Sequence, residues 1–304
     1  MEDLKLSLCI PTNGVTEWVI PVLDSIYQQD VDQSLFEVIV TDNGNNQKFK
    51  KRMHEYEKKV TNLVYKETTA KGFTNQISAF ELARGALIKF VNHRYLLLPG
   101  SLQYFIDFID AHQDTKPYVY FSNGVLAIDH QNVTYNFNDF AYHLSLHLSW
   151  SAGIALWNDD FKAVSLEKNY SDLFPHLNFI LPYTNKGQYI IDNKSLMKEL
   201  KTDDRKKGKY KLFDTFAVEF MNCMKQISEQ GIIDQKTYQK IWQDNQKSLT
   251  ELYLSYCILK KPCSYDLNGK EEALNVYYNA KSIKKDAYKL FFVKIFRKIF
   301  HRNH

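Results

Sequence analysis

At 304 residues, 44% apolar and 24% charged, the chain has the composition of a soluble globular protein with a substantial core, in one large or two modest domains, and not that of a disordered or fibrous one. Its four cysteines, Cys9, Cys223, Cys257 and Cys263, lack metal-ligand spacing and no signal-like segment precedes the fold, which argues against a disulfide scaffold and for a reducing, cytoplasmic setting. The net charge of +4 is uneven: residues 281–304 carry eight Lys/Arg and one Asp, so the rest sums to −3 and offers no nucleic-acid-binding surface.

In chain order, Lys5–Ile10 reads as a first strand stopped by Pro11, which has no N–H to give a central ladder. Trp18, Val19, Val22, Leu23, Ile26 and Tyr27 form a helical stripe over Thr16–Gln29. Phe36–Thr41 is a second strand, ending in the turn tripeptide Asp42-Asn43-Gly44. A charged helix over Gln47–Val60, a short strand at Leu63–Tyr65 and a helix over Thr74–Ala86 follow. Residues 85–102 read as a buried strand running into the polar triplet Asn92-His93-Arg94 and then a Pro99-Gly100 turn. Polar groups at the carboxyl end of such a strand stand in the crevice where α/β sheets bind ligands. This alternation predicts βαβ units and a parallel sheet with right-handed crossovers. No Gly-x-Gly-x-x-Gly follows the first strand, which argues against a hydride-transfer enzyme.

Farther on, a helix is predicted over Leu102–Ala111, strands over Tyr118–Ser122, Gly124–Ile128 and Gly153–Trp157, a charged loop over Lys201–Lys211, and helical periodicity from Phe213 to Leu259. His143 and His147 would share a helical face, without the further ligands that zinc needs. In the tail, Tyr288, Phe291, Phe292, Ile295, Phe296, Ile299 and Phe300 fall on one predicted face, with Lys289, Lys294, Arg297, Lys298 and Arg302 opposite. That is the pattern of an interfacial helix on an anionic membrane, reaching over residues 283–302; a helix docked on its own domain is the other reading. The expected division is 1–210 as the main domain, split at 102/103 into a nucleotide-binding and an acceptor half, then a helical extension over 211–280 and a basic amphipathic helix over 281–304.

Four segments resemble family 2 glycosyltransferases of the GT-A type: Ser7-Leu8-Cys9-Ile10-Pro11-Thr12-Asn13, Val38-Ile39-Val40-Thr41-Asp42-Asn43-Gly44, Lys71-Gly72-Phe73-Thr74-Asn75-Gln76, and Asn92-His93-Arg94 followed by Pro99-Gly100. The resemblance implies an α/β fold with a GT-A-type doubly wound, mostly parallel sheet, flanking helices and a helical C-terminal extension. It implies a pyrimidine nucleotide-sugar donor, a UDP-sugar, with Pro11 and Thr12 near the base, Asp42 accepting from it, and Lys71, Gly72 and Asn75 beside the donor. Asn92 and Arg94 stand where the family carries an Asp-x-Asp pair holding a dication on the diphosphate. An amide and a guanidinium make a poor site for a hard dication, whereas Arg pairs directly with phosphate oxygens. No metal ligand is therefore expected, and Mg or Mn is disfavoured.

The resemblance thins in the second half. Ser149–Leu156 looks like the family's small-residue segment, with Trp150 and Gly153 near the donor sugar or acceptor. Tyr170–His176 falls where inverting members carry the general base, which maps onto Asp172, with Asp159 and Asp160 as alternatives and His176 lining the cleft. The implied function is inverting transfer of a sugar to a lipid- or protein-linked glycan, in cell-surface polysaccharide or glycoprotein assembly at the inner membrane face. Replacement of both acidic positions leaves a second reading open, a catalytically inactive GT-A partner subunit of a membrane glycosylation complex.

Overall fold

Leu6–Thr12 (β1) sits between two parallel neighbours and is almost wholly buried, as its near-continuous apolar run requires. The structure is a computed structural model that describes residues 4–164, 171–201 and 203–300, with side chains to 296. The chain divides into two compact units, 1–202 and 203–304.

The first unit carries an eight-stranded sheet in the order β3-β2-β1-β4-β8-β6-β9-β7. Its strands are β1, β2 (Phe36–Asp42), β3 (Leu63–Glu67), β4 (Leu87–Phe90), β6 (Tyr118–Phe121), β7 (Gln131–Thr134), β8 (Ile154–Trp157) and β9 (Tyr189–Asp192). The pairs β1–β2, β2–β3, β1–β4 and β6–β9 are parallel, while β8 runs antiparallel to β4 and β6, and β7 antiparallel to β9. A separate ribbon pairs β5 (Tyr95–Leu97) with β10 (Met197–Glu199). Helices α1 (Thr16–Tyr27), α2 (Gln47–Glu57), α3 (Asn75–Glu81), α4 (Ser101–His112), α5 (Phe137–Leu144), α6 (Asn158–Ala163) and α7 (Leu177–Ile180) complete the unit.

Local chemistry sets these bounds. Asn46 caps α2 by accepting from the Lys48 and Phe49 amides. Gly85 lies against β1, where a Cβ would meet the Leu6 carbonyl carbon at 2.6 Å, so only glycine lets β4 enter beside it. The predicted helix over 74–86 is shorter: a 3₁₀ turn at Gly72–Thr74 leads into α3, which ends at Glu81.

Residues 124–128 do not form the predicted strand. Asn123 and Gly124 take positive φ and bend the chain, and Asn193 holds the loop by donating from Nδ2 to the Leu126 and Ile128 carbonyls at 2.9 and 3.0 Å. The strand comes later, as β7. His143 and His147 do not share a helical face, because α5 ends at Leu144 and Ser145 takes φ +50°.

The second unit contains α8 (Phe220–Glu229), α9 (Gln235–Leu252), α10 (Lys270–Tyr277) and α11 (Ala280–Phe300). The predicted helical run over 213–259 is interrupted: single π-helical stretches occupy Asp214–Glu219 and Tyr253–Ile258, Gly231 at φ +71° follows α8, and Asp234 caps α9 by accepting from the Thr237 amide. α11 buries Ile283 and Ala287 against its unit, but Tyr288, Phe292, Val293, Ile295 and Phe296 are exposed. Its apolar residues therefore form a packed stripe and a second, uncovered set, not the single face opposite the cations that the sequence suggests. No helix among the described residues is long and apolar enough to cross a membrane.

Candidate active site

In the strand order β3-β2-β1-β4, the chain winds outward from β1 to β3 and returns on β1's other side, so β1 and β4 flank the switch point. In such sheets the ligand crevice lies outside the carboxyl ends of these strands. Thr12 ends β1, and Asn92-His93-Arg94 follows β4. A hydrogen bond between His93 Nδ1 and Thr12 Oγ1 at 2.8 Å ties the two strand ends together across that point. The His93 ring meets the Trp18 ring edge-on at 5.0 Å, and the Arg94 guanidinium lies over Trp18 at 5.6 Å. Burial, and then the Arg94 charge, push the His93 imidazole down to about 3, so it is neutral.

Asp42 is the register partner of Thr12. Its Oδ1 accepts from the Gly44 amide at 2.8 Å and its Oδ2 from the Tyr65 hydroxyl at 3.0 Å. Burial raises its pKa, and these two donors oppose the rise. Asn75 holds the same corner: Nδ2 donates to the Thr12 and Thr41 carbonyls at 3.2 and 2.8 Å, and Oδ1 accepts from Thr68 at 2.8 Å. Its amide thus shapes the crevice by clamping β1 to β2. Pro11 does not stop the first strand: half-buried, it lies within β1 and pairs with Thr41 in the same register, at a point where the β4 pairing has already ended at Cys9. Lys71 is exposed at the head of the 3₁₀ turn, with Gly72 at φ +53°. Asn43 donates to the Ala70 and Gly72 carbonyls at 3.0 and 3.1 Å and so fixes this loop beside Asp42.

At positions 92 and 94 the donor set does not suit a divalent ion. Asn92 Oδ1 accepts from the Arg94 amide at 3.2 Å and from its Nε at 3.4 Å, and the guanidinium stands 3.9 Å from Glu199. This places a fixed cation where a hard dication would need oxygen ligands.

Because β8 is antiparallel to β4, its first residues lie at the crevice edge and its last ones at the opposite edge, where Trp157 pairs with Leu87. Asp159 and Asp160, which follow β8, are therefore remote from Arg94, and each is ion-paired, with Lys116 and Lys186 respectively. The residues before β8 are at the crevice. Trp150 is 40% exposed there, its ring edge-on to His147 at 4.3 Å. Gly153 has a local reason to be glycine: a Cβ would fall 2.1 Å from Tyr120 Cζ.

His176 is buried and belongs to the scaffold beneath the crevice. Its Nε2 donates to the Leu148 carbonyl at 2.9 Å, which leaves Nδ1 to accept from Ser151 Oγ at 3.1 Å. Burial lowers its pKa to about 4. Asp172 is exposed four residues earlier, on a segment that His176 anchors to the turn before β8. Tyr170 lies outside the described residues.

Sequence reasoning missed Lys89. In the middle of β4 and fully buried, it donates from Nζ to the carbonyls of Phe90, Ala152 and Ile154 at 2.8, 2.7 and 3.3 Å. Its signal was a lone charge inside the apolar run Leu87-Ile88-Lys89-Phe90-Val91.

The sheet order, the antiparallel β8 and the crevice at the β1/β4 switch define a GT-A-type α/β fold, and solved glycosyltransferases share it. The chain is similar to S. aureus TarS 1–349 in complex with UDP-GlcNAc, at 17% identity and TM-score 0.59 over 90% of this chain and 80% of that one. It is similar to a mannosyltransferase from Pyrobaculum calidifontis in complex with GDP-Man and Mn2+, at 13% identity and TM-score 0.59 over 97% and 82%. Against a longer TarS structure it covers 83% of its own length but 43% of that chain, with 17% identity and TM-score 0.53. No curated protein matches it significantly. Residues 7–156, within the first unit, match Glycosyl transferase family 2.

Proposed function

We propose that the protein is an inverting glycosyltransferase that takes a sugar from a pyrimidine nucleotide-sugar, a UDP-sugar, and passes it to a lipid- or protein-linked glycan. The observation that carries this reading is the Thr12–His93 bond, which joins the ends of β1 and β4 at the switch point, with Asp42 in register with Thr12 and Arg94 next to His93 in the chain. The UDP-GlcNAc complex of a fold relative supports the choice of donor. In this reading Asp42 and Thr12 meet the base, the Gly72 loop lies beside the donor, and Arg94 faces the diphosphate.

In the reaction, an acceptor hydroxyl oxygen forms a bond to the anomeric carbon as the bond from that carbon to the diphosphate oxygen breaks. The hydroxyl proton goes to Asp172 and the electron pair leaves with the diphosphate, whose charge Arg94 helps to neutralise. Asp172 is favoured as base because Asp159 and Asp160 lie at the far edge of the sheet. The exposed apolar residues of α11, with Lys284, Lys285 and Lys289 among them, support a peripheral place at an anionic membrane surface, the inner face of the cell membrane.

The test is transfer and nucleotide binding by Asp172→Asn, after a panel of UDP-sugars has identified the donor. Transfer is expected to fall by about 10²- to 10⁴-fold with UDP affinity unchanged. Intact transfer with weakened UDP binding would place the base elsewhere.

A further inference from the structure

Among the described residues, no carboxylate pairs with the fully buried Lys89. Its three N–H groups meet three carbonyls, which satisfies the ammonium as donor but does not cancel its charge. The neighbouring groups are uncharged: the Phe121 ring of β6 at 5.6 Å from Nζ, the backbone of the Ser151–Gly153 turn, and Ile154 and Ala155 of β8. Charged side chains on the surrounding elements are engaged elsewhere. Asp192, register partner of Phe121 on β9, accepts from the Tyr104 hydroxyl at 2.6 Å and from the Lys194 amide, and Arg94 lies over Trp18. Of the titratable groups nearby, the Tyr120 hydroxyl donates to the His147 and Trp150 carbonyls, and His93 and His176 are held neutral.

The carbonyls that Lys89 holds belong to the last residue of β4 and to both ends of the Gly153 step, so the ammonium sits directly under the crevice edge. A charge buried in apolar surroundings acts over a longer range than one in water, and a nearby anion stabilises it.

We propose that Lys89 is a positioning residue and resident cation of the donor cleft: its ammonium fixes the Ala152–Ile154 turn, and the diphosphate of the donor completes its charge, so that donor binding and proton binding at Lys89 are coupled. This rests on the donor site proposed above. Burial alone lowers Lys89 to about 7 in the ligand-free chain, so at neutral pH part of the population has lost the proton. A bound dianionic donor raises that value, and binding then takes up protons above neutral pH.

The experiment is calorimetric titration of the full chain with UDP-GlcNAc, whose diester phosphates do not titrate near neutrality, in two buffers of different ionisation enthalpy. Affinity should fall about tenfold between about pH 6 and about pH 8.5, with net proton uptake at the higher pH. Lys89→Arg, which keeps the charge but does not titrate, should bind with little pH dependence; Lys89→Met should bind weakly at both pH values. Should Lys89→Met fail to fold, proton uptake by the wild type still decides. Binding independent of pH without proton uptake, or pH dependence that persists in Lys89→Arg, overturns the proposal and leaves the donor site standing. Absence of binding at either pH overturns both.

Discussion

His93 and His176 are both imidazoles kept neutral by burial, and each spends its ring on a strand end instead of on a proton. His176 ties Leu148 to Ser151 before β8, and His93 ties Thr12 to the end of β4. Such a residue links stability to pH with a fixed sign. Between 6.5 and about 4 the unfolded chain binds a proton at His176 that the folded chain refuses, so stability is complete above the upper value and is lost as pH falls through the window. The expected loss is at most about 3 kcal/mol for this fully buried group, with a smaller share from the partly exposed His93. Urea unfolding between pH 7 and pH 4 measures it, and a His176→Gln variant should show a shallower slope. A wild-type midpoint that does not move would mean that the ring is protonated in the fold. Asp42 and Asn75 illustrate another use of side chains here: each meets its partners within the protein, so the crevice corner is rigid before any ligand arrives.

Among the elements, α11 has an unusual distribution of apolar surface. Ile283 and Ala287 are covered, while Tyr288, Phe292, Val293, Ile295 and Phe296 carry aromatic and branched surface into solvent beside Lys284, Lys285 and Lys289. Removing residues 283–304 should abolish sedimentation with anionic vesicles, and co-sedimentation of the truncated chain at the wild-type level would return these residues to a purely structural role. The same element shows what a sequence can and cannot reveal. Helical spacing identified the helix, but which of its residues find a partner depends on α9 and the π-helical stretch at Tyr253–Ile258, which no local pattern encodes. The strands β1, β2 and β4 were legible from their apolar runs, in which Lys89 is a lone charge, although β1 runs on through Pro11 to Thr12; β3 was legible only at Leu63–Tyr65 and continues to Glu67. β7, β9 and β10, of three or four residues, exist through their partners, and Val125-Leu126 mimicked a strand until Asn123 and Gly124 bent it. The strand ends that carry Thr12, Asp42 and Arg94 were legible from motif order, whereas Lys89 was not, because only the packed sheet shows that its ammonium is enclosed by the carbonyls of Phe90, Ala152 and Ile154.

At the scale of the whole molecule, basic side chains are distributed so that the first unit holds two of them, Arg94 and Lys89, at the point where the sheet order reverses. Arg94 sits on Trp18 beyond β4, and Lys89 lies within the strand, caged by carbonyls. Preorganised positive charge in a dry site stabilises a departing diphosphate without reorganisation, and under the proposals above Arg94, with Lys89 once donor binding has protonated it, takes the place of the ion that the resemblance assigns to an Asp-x-Asp pair. Direct titration of UDP, first with excess chelator and then with Mn2+ added, bears on that claim most directly. The two affinities are expected to agree within about twofold; loss of UDP binding on chelation, restored by the metal, would contradict that claim.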